Sequence, residues 1–352
     1  MMIPDVPRFR RFLRLAAGVG AAAAVLSGVL AWLSPATAVE AYRFAAFACF
    51  QAAAGSLIFL LIYRNTGGQW GDFLGPFLRA GARLVPWIWP LIAWMAAVPA
   101  AHPSWTSPRG RPMPSPGMLL GRAAIYEVIY IAIVWVALSP RTRKLAGLAL
   151  VIYVVTTHFL TADWFFTLEP GWYSTIFPLF WMAIQACAGL ALAVVAAWMS
   201  GRDPSVPGPA GRPLGKDWGD LLLTTVLFSC YTLFMEIVIY WSGDLPREIS
   251  WYARRSAGGW KWVCVALALL HCALPLWLLL SRRRKRSRHG VPRVALILTA
   301  AEMLWVAWFV LPAFPQGGAW LWGMSAVLLV GAGGLFLNRY GAVALVSEGG
   351  HP

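Results

Sequence analysis

"STIFPLFWMAIQACAGLALAVVAAWM", residues 174–199, runs for 26 residues without one Asp, Glu, Lys or Arg. A bilayer core about 30 Å thick takes roughly 20 apolar helical residues to cross, so this stretch reads as a transmembrane helix. Immediately before it lies "TADWFFTLEPGWYSTIF" (161–177), which carries Asp163 and Glu169, no basic residue, and an aromatic at nearly every other position. A second apolar run ends where that acidic segment begins. Two carboxylates are thereby set between two spans, at the edge of the hydrocarbon.

The pattern recurs along the whole chain. Of its 352 residues, 59% are hydrophobic and only 12% charged, and the mean hydropathy is +0.64. That composition excludes a soluble domain and predicts an all-α integral membrane protein, a single polytopic domain over 1–352. Ten spans are expected, at 12–33, 42–63, 84–101, 122–139, 144–161, 174–199, 218–242, 258–281, 291–312 and 318–338. The first has a basic start and an Ala-x-Ala end like a signal peptide, but its apolar centre exceeds the usual ~7–15 residues. It reads as a retained helix. The longest connections are then 64–83, 101–121, 200–217 and 243–257, and Pro86, Pro90 and Pro99 are expected to bend the third span.

A net charge of +15 in a soluble chain would suggest nucleic acid, but here Lys and Arg occupy short loops. With the N-terminus inside, 21 of the 29 fall on one face, including "SRRRKRSRHG" (281–290). The positive-inside rule therefore places both termini in the cytoplasm. A site for a soluble partner or anionic lipid is the other reading of that basic run. No nucleic-acid partner is expected; membrane lipids are.

The five cysteines lie inside expected spans with neither metal nor iron-sulfur spacing, and only His158 and His271 lie near spans as haem ligands. No metal or haem site is expected. Ionisable groups at membrane depth are costly, about 2.5–3.5 kcal/mol each at a helix centre, so those present are the candidate site. Glu127, His158, Asp163, Glu169 and Glu236 are expected toward the outer face, His271 and Glu302 nearer the middle, with Gln51 and Gln185 at similar depth. Each also has a plainer reading. Asp163 and Glu169 suit an interfacial belt with Trp164, Trp172 and Tyr173, Glu127 suits a pair with Arg122, and His271 and Glu302 suit packed, hydrogen-bonded core positions. Glu236, in "YTLFMEIVIYW" (231–241), has no basic neighbour within a turn. It must find a partner on another helix or hold a proton.

Four ordered segments, "NTGGQWG" (65–71), "DWFFTLEPGWYSTIF" (163–177), "WSGDLPREISWYARRSAGGW" (241–260) and "LPLWLLLSRRRKR" (274–286), resemble motifs of the ActF-type membrane subunit of alternative complex III, a quinol:cytochrome c oxidoreductase. That group is distantly similar to the NrfD and polysulfide-reductase membrane subunits. The resemblance covers roughly residues 40–315. It departs from the family at Gly171, where His is common, at Asp244–Glu248, where Asn-Leu-Pro-Glu-Glu is common, and at Tyr63 and Arg64, where His often precedes the turn.

The resemblance implies ten helices as two four-helix bundles, spans two to five and six to nine, with spans one and ten peripheral, in a bacterial inner membrane. It implies a subunit with no haem or iron-sulfur centre of its own, quinone or quinol as ligand, and as partners a homologous quinol-binding membrane subunit, a multi-haem cytochrome c subunit and an iron-sulfur subunit. On that expectation Glu236, Glu127, Asp163, Glu169, His271 and Glu302 form a proton path, and His158, Asp163 and Trp164 the surroundings of a quinol. A structural subunit without either role and a stand-alone secondary transporter are the other classes the sequence admits.

Overall fold

The computed structural model describes residues 6–97, 115–169, 172–209, 211–244, 246–314 and 318–349. Among them the structure is all helical, with no strand. The long helices are α1 (Val6–Leu33), α2 (Pro35–Thr66), α3 (Gln69–Ala93), α4 (Pro116–Leu138), α5 (Ala146–Trp164), α6 (Phe177–Met199), α7 (Leu214–Gly243), α12 (Gly290–Val310) and α13 (Gly318–Gly349). Between α7 and α12 come α8 (Pro246–Ser256), α9 (Trp260–Leu267), a π-helical turn (Ala268–Ala273), α10 (Leu274–Leu280) and the short α11 (Arg282–Lys285). Nine segments among the described residues are long and apolar enough to cross a membrane, α9 to α10 counting as one. The protein is thus a multi-pass membrane protein.

α3 is the exception. It holds 84–93 of the expected span 84–101, a 3-10 turn (Trp94–Ala97) follows and 98–101 fall outside the described residues, but it starts at Gln69 and carries Asp72, Arg79 and Arg83. The expected loop 64–83 is therefore mostly helix. Gly67 and Gly68 turn the chain at φ of 68° and 110°, a conformation open to glycine, and α3 begins at the next residue. Pro76, Pro86 and Pro90 all lie inside it; Pro99 lies outside the described residues. The expected connection 243–257 likewise contains α8. Local chemistry fixes other ends: Ser115 accepts the Met118 N–H at 3.2 Å with Pro116 at the first helical position, a favourable start.

Burial separates centre from edge. In α2 and α6, 94% and 89% of the apolar window is buried, against 11% in α1 and 22% in α13. Small residues let the two central helices touch. A Cβ on Gly55 would stand 1.6 Å from the Gln185 carbonyl oxygen, and one on Gly189 would stand 2.1 Å from the Ser56 nitrogen, the close approach typical of membrane helix pairs. Around this crossing α2 packs on α3 and α5, α3 on α4, and α4 on α5. On the other side α6 packs on α7 and α12, and α10 on both α7 and α12. α1 and α13 lie against each other, and α13 also covers α2 and α3. The outward faces, with Trp135, Leu148, Val151, Trp262 and Trp277 exposed, suit a lipid solvent.

Candidate functional site

α7 carries an extended polar stripe inside the protein. Thr225, Ser229, Thr232, Glu236 and Tyr240 are all buried, and their spacing of three to four residues puts them on one helix face. Phe228, Tyr231, Phe234 and Ile237, on the other face, are exposed. The hydroxyls of Thr225, Ser229 and Thr232 each donate to a carbonyl of their own helix, at 2.8 to 3.1 Å, which leaves their oxygens able to accept.

At one level of this stripe stands an imidazole–carboxylate pair. Ser229 Oγ is 2.6 Å from His271 Nε2, and His271 Nδ1 is 3.0 Å from Glu302 Oε1. Both residues are almost wholly buried. His271 sits in the π-helical turn. Pro275, four residues on, has no N–H to give the His271 carbonyl, and a π turn is one way a helix absorbs that gap. Gln51 on α2 donates to the backbone carbonyl of Glu302 at 2.9 Å, tying the two halves of the molecule at this depth.

Three cysteines surround the pair. Donor atoms of Cys187, His271 and Glu302 lie within 4.8 Å of one another, as do those of Cys230, His271 and Cys272, and the Cys230 and Cys272 sulfurs are 2.7 Å apart. Such donors on facing helices are chemically able to hold a soft or borderline metal ion. No local spacing announces them, because Cys187 comes from α6, Cys230 from α7, Cys272 from the π turn and Glu302 from α12.

Two turns from Ser229 along α7, Glu236 accepts from Tyr240 (2.8 Å) and Tyr252 (3.1 Å) at Oε1 and from Ser174 (2.7 Å) at Oε2. Trp172 Nε1 donates to the Tyr240 hydroxyl at 2.9 Å, and its ring stacks on Trp251 at 3.9 Å and 6°. The Arg255 guanidinium covers the far side of Trp251, 3.0 Å from the ring centre. Arg255 also donates to Glu169 at 3.1 Å and to the Trp308, Phe309 and Trp251 carbonyls. Arg254 and Ser250 approach the same carboxylate at 3.5 and 3.4 Å. Burial brings the Arg255 pKa down to about 9, against the opposing pull of the adjacent Glu169 carboxylate; Arg255 is positive at neutral pH.

Asp163 closes a separate cluster. Arg122 donates to it at 2.6 Å and Tyr126 at 2.7 Å. Arg122 thus pairs with Asp163, and Glu127, the partner considered for it from sequence, is half-buried with Oε2 lacking a hydrogen-bond partner. Trp164 is buried against Trp89 and Phe47. His158 is exposed and touches Phe159. Five residues of helix turn it about 140° from Asp163, so the three residues expected around a quinol do not share one pocket.

Folding therefore unites His271 with Glu302, and Glu236 with Glu169 through the Trp172–Trp251–Arg255 assembly, while Asp163, Glu127 and His158 stand apart. Sequence reading missed Ser229, Tyr240, Tyr252 and Arg255. The stripe was readable in "SCYTLFMEIVIY" (229–240) as polar residues three and four apart; the arginine was not. Comparison with protein-family models and with curated proteins finds no match to this chain.

Proposed function

We propose that the protein is the proton-handling membrane subunit of a quinol:electron-acceptor oxidoreductase of the alternative complex III type, without a redox centre of its own. One observation carries the reading: the buried hydroxyl and carboxyl stripe of α7, with the His271–Glu302 pair at one level and Glu236 two turns away. Oxidising a quinol releases two protons for two electrons, and those protons need groups that pass them to water. Imidazole, carboxylate and hydroxyl groups in contact are suited to this. Glu302, His271, Ser229, Thr232 and Glu236 form the relay, and Gln51 Oε1 and Gln185 Nε2, buried without hydrogen-bond partners, are polar atoms that a water chain would satisfy. Glu127 supplies a carboxyl toward the same outer level from α4. Asp163 and Glu169 act as arginine-held posts at its mouth. Quinol contact and the electron route belong to the interface with a homologous subunit and with haem and iron-sulfur partners.

The arrangement proposed is ten helices in two four-helix bundles, α2–α5 and α6–α12, with α1 and α13 peripheral and both termini in the cytoplasm of a bacterium. The two sets of helix contacts support the bundles. Among the described residues, five of the eight basic residues assigned to the outer face also have intramolecular electrostatic roles: Arg43 lies over Phe314, Lys261 over Trp262, Arg122 bonds Asp163, and Arg254 and Arg255 bond Glu169.

The test is Glu236→Gln in the assembled complex. Quinol turnover or proton yield is expected to fall at least tenfold with assembly intact; unchanged turnover and proton yield refute the relay. A second reading, a purely structural subunit, draws on the arginine pairing of Asp163 and Glu169. It predicts that neutralising the acids harms assembly alone.

A further inference from the structure

The relay takes His271 and Glu302 and leaves the thiols around them without a task. Residues 229–230 of α7 face residues 271–272 of the π turn: Ser229 Oγ is 2.6 Å from His271 Nε2, and the Cys230 and Cys272 sulfurs are 2.7 Å apart. In a regular α-helix His271 and Cys272 would point about 100° apart; the wider turn Ala268–Ala273 presents both to α7. A His271 ring nitrogen and these two sulfurs lie within 4.8 Å of one another, and so do a His271 nitrogen, the Cys187 sulfur and a Glu302 oxygen. Donors from α6, α7, the π turn and α12 thus converge on one imidazole.

The polar atoms at its centre are poorly matched to each other. His271 Nδ1 and Glu302 Oε1 are 3.0 Å apart, yet neither they nor Glu302 Oε2 make a well-directed hydrogen bond among the described residues, and all three are buried. Such atoms are costly to bury unless something else uses their lone pairs or protons. A metal on Nε2 would fix the ring proton on Nδ1, toward Glu302, the outer carboxylate that commonly orients a ligating histidine.

We infer that Cys230, Cys272 and His271 bind a divalent thiophilic cation of the Zn²⁺ class, with Glu302 orienting the imidazole from its other nitrogen. Charge selects the ion. Two thiolates and a neutral imidazole carry two negative charges, so a divalent ion leaves the ligand set neutral within the hydrocarbon, whereas Cu⁺ leaves one charge uncompensated. Sulfur and imidazole donors suit Zn²⁺ and disfavour Mg²⁺ and Ca²⁺, which take oxygen. Zn–S bonds of about 2.3 Å set two thiolates about 3.8 Å apart in a tetrahedron, so the two sulfurs, at 2.7 Å, part by about 1 Å on binding. The ion and the relay are alternatives at His271: proton transfer there belongs to the metal-free protein.

Titration of the reduced, chelator-washed full-length protein with Co²⁺ in detergent tests this. An intense sulfur-to-cobalt charge-transfer band and visible tetrahedral bands are expected, both bleached by Zn²⁺. Cys230→Ser/Cys272→Ser is expected to abolish the charge-transfer band and Cys264→Ser to leave it. Glu302→Gln is expected to weaken binding about 10–100-fold, as loss of an orienting partner does; unchanged affinity there removes Glu302 from the site. No charge-transfer band in the unaltered protein overturns the proposal, as does a band that survives in Cys230→Ser/Cys272→Ser or a site that takes Cu⁺ and neither Co²⁺ nor Zn²⁺. The titration of the unaltered protein decides even where a variant fails to fold, and it involves no quinol turnover, so it stands or falls apart from the relay.

Discussion

Arg255→Met isolates the charge clasp at the mouth of the relay. Arg255 is wholly buried, and its guanidinium donates four hydrogen bonds in space that Met can largely fill: one to Glu169 and three to the Trp308, Phe309 and Trp251 carbonyls. Removing one member of a buried ion pair leaves the other uncompensated, at a cost of about 3–5 kcal/mol. Arg254 remains near Glu169, but at 3.5 Å and half-exposed, and an exposed pair contributes about 0–1 kcal/mol. The expected loss is therefore about 3–4 kcal/mol. Glu169→Gln alone also leaves a buried charge, that of Arg255, while Glu169→Gln with Arg255→Met removes both. The double variant should be more stable than the sum of the single effects by about 2 kcal/mol. Reversible denaturant unfolding in mixed micelles, monitored by tryptophan fluorescence, measures all three. A cost below about 1 kcal/mol for Arg255→Met, or strict additivity, refutes the clasp.

Two further outcomes follow from the packing. Gly189→Val should cost about 3 kcal/mol or more by forcing α2 and α6 apart, whereas Gly18→Val, whose added Cβ meets nothing within 4 Å, should leave folded yield in detergent unchanged. Mild oxidation with diamide should join Cys230 to Cys272, whose sulfurs are 2.7 Å apart, with loss of two hydrogens in the intact mass and none in Cys230→Ser; failure to join them contradicts the placement of the π turn against α7.

Much of the architecture was legible because lipid allows little else. The apolar runs at 174–199 and 218–242 reappear as α6 and α7 with ends moved by a few residues. α3 and α8 were not legible, for one reason in two forms. Asp72, Arg79 and Arg83 look like a loop to any hydropathy average, yet Leu74, Phe77, Leu78 and Ala82 turn inward and are buried by α2. In α8, Trp251 and Arg255 share a buried face that means nothing until Trp172 and Glu169 arrive from another part of the chain. The candidate carboxylates themselves were legible as costly residues. Their partners were not, since Arg122 and Asp163, or His271 and Glu302, are joined only by the fold.

The contacts of those acids among the described residues are of two kinds, and the kind of contact bears on function more than the number of acids does. A guanidinium has donors only, so it matches a charged carboxylate and opposes its neutral form. Asp163 and Glu169 each have an arginine, at 2.6 and 3.1 Å, and are anchored by it. A hydroxyl is donor and acceptor at once: Ser174, Tyr240 and Tyr252 can give hydrogen bonds to an ionised Glu236 or, by one rotating, take one from its acid form. His271 adds a group able to donate from either ring nitrogen, with Ser229 Oγ at 2.6 Å from one and the Glu302 carboxylate at 3.0 Å from the other. Proton transfer needs both states of a group to be tolerated by the same surroundings, and hydroxyl partners tolerate both. Glu236→Gln, which keeps a hydrogen-bonding side chain of the same shape among those hydroxyls, should accordingly cost little stability while blocking transfer; Glu169→Gln should do the reverse.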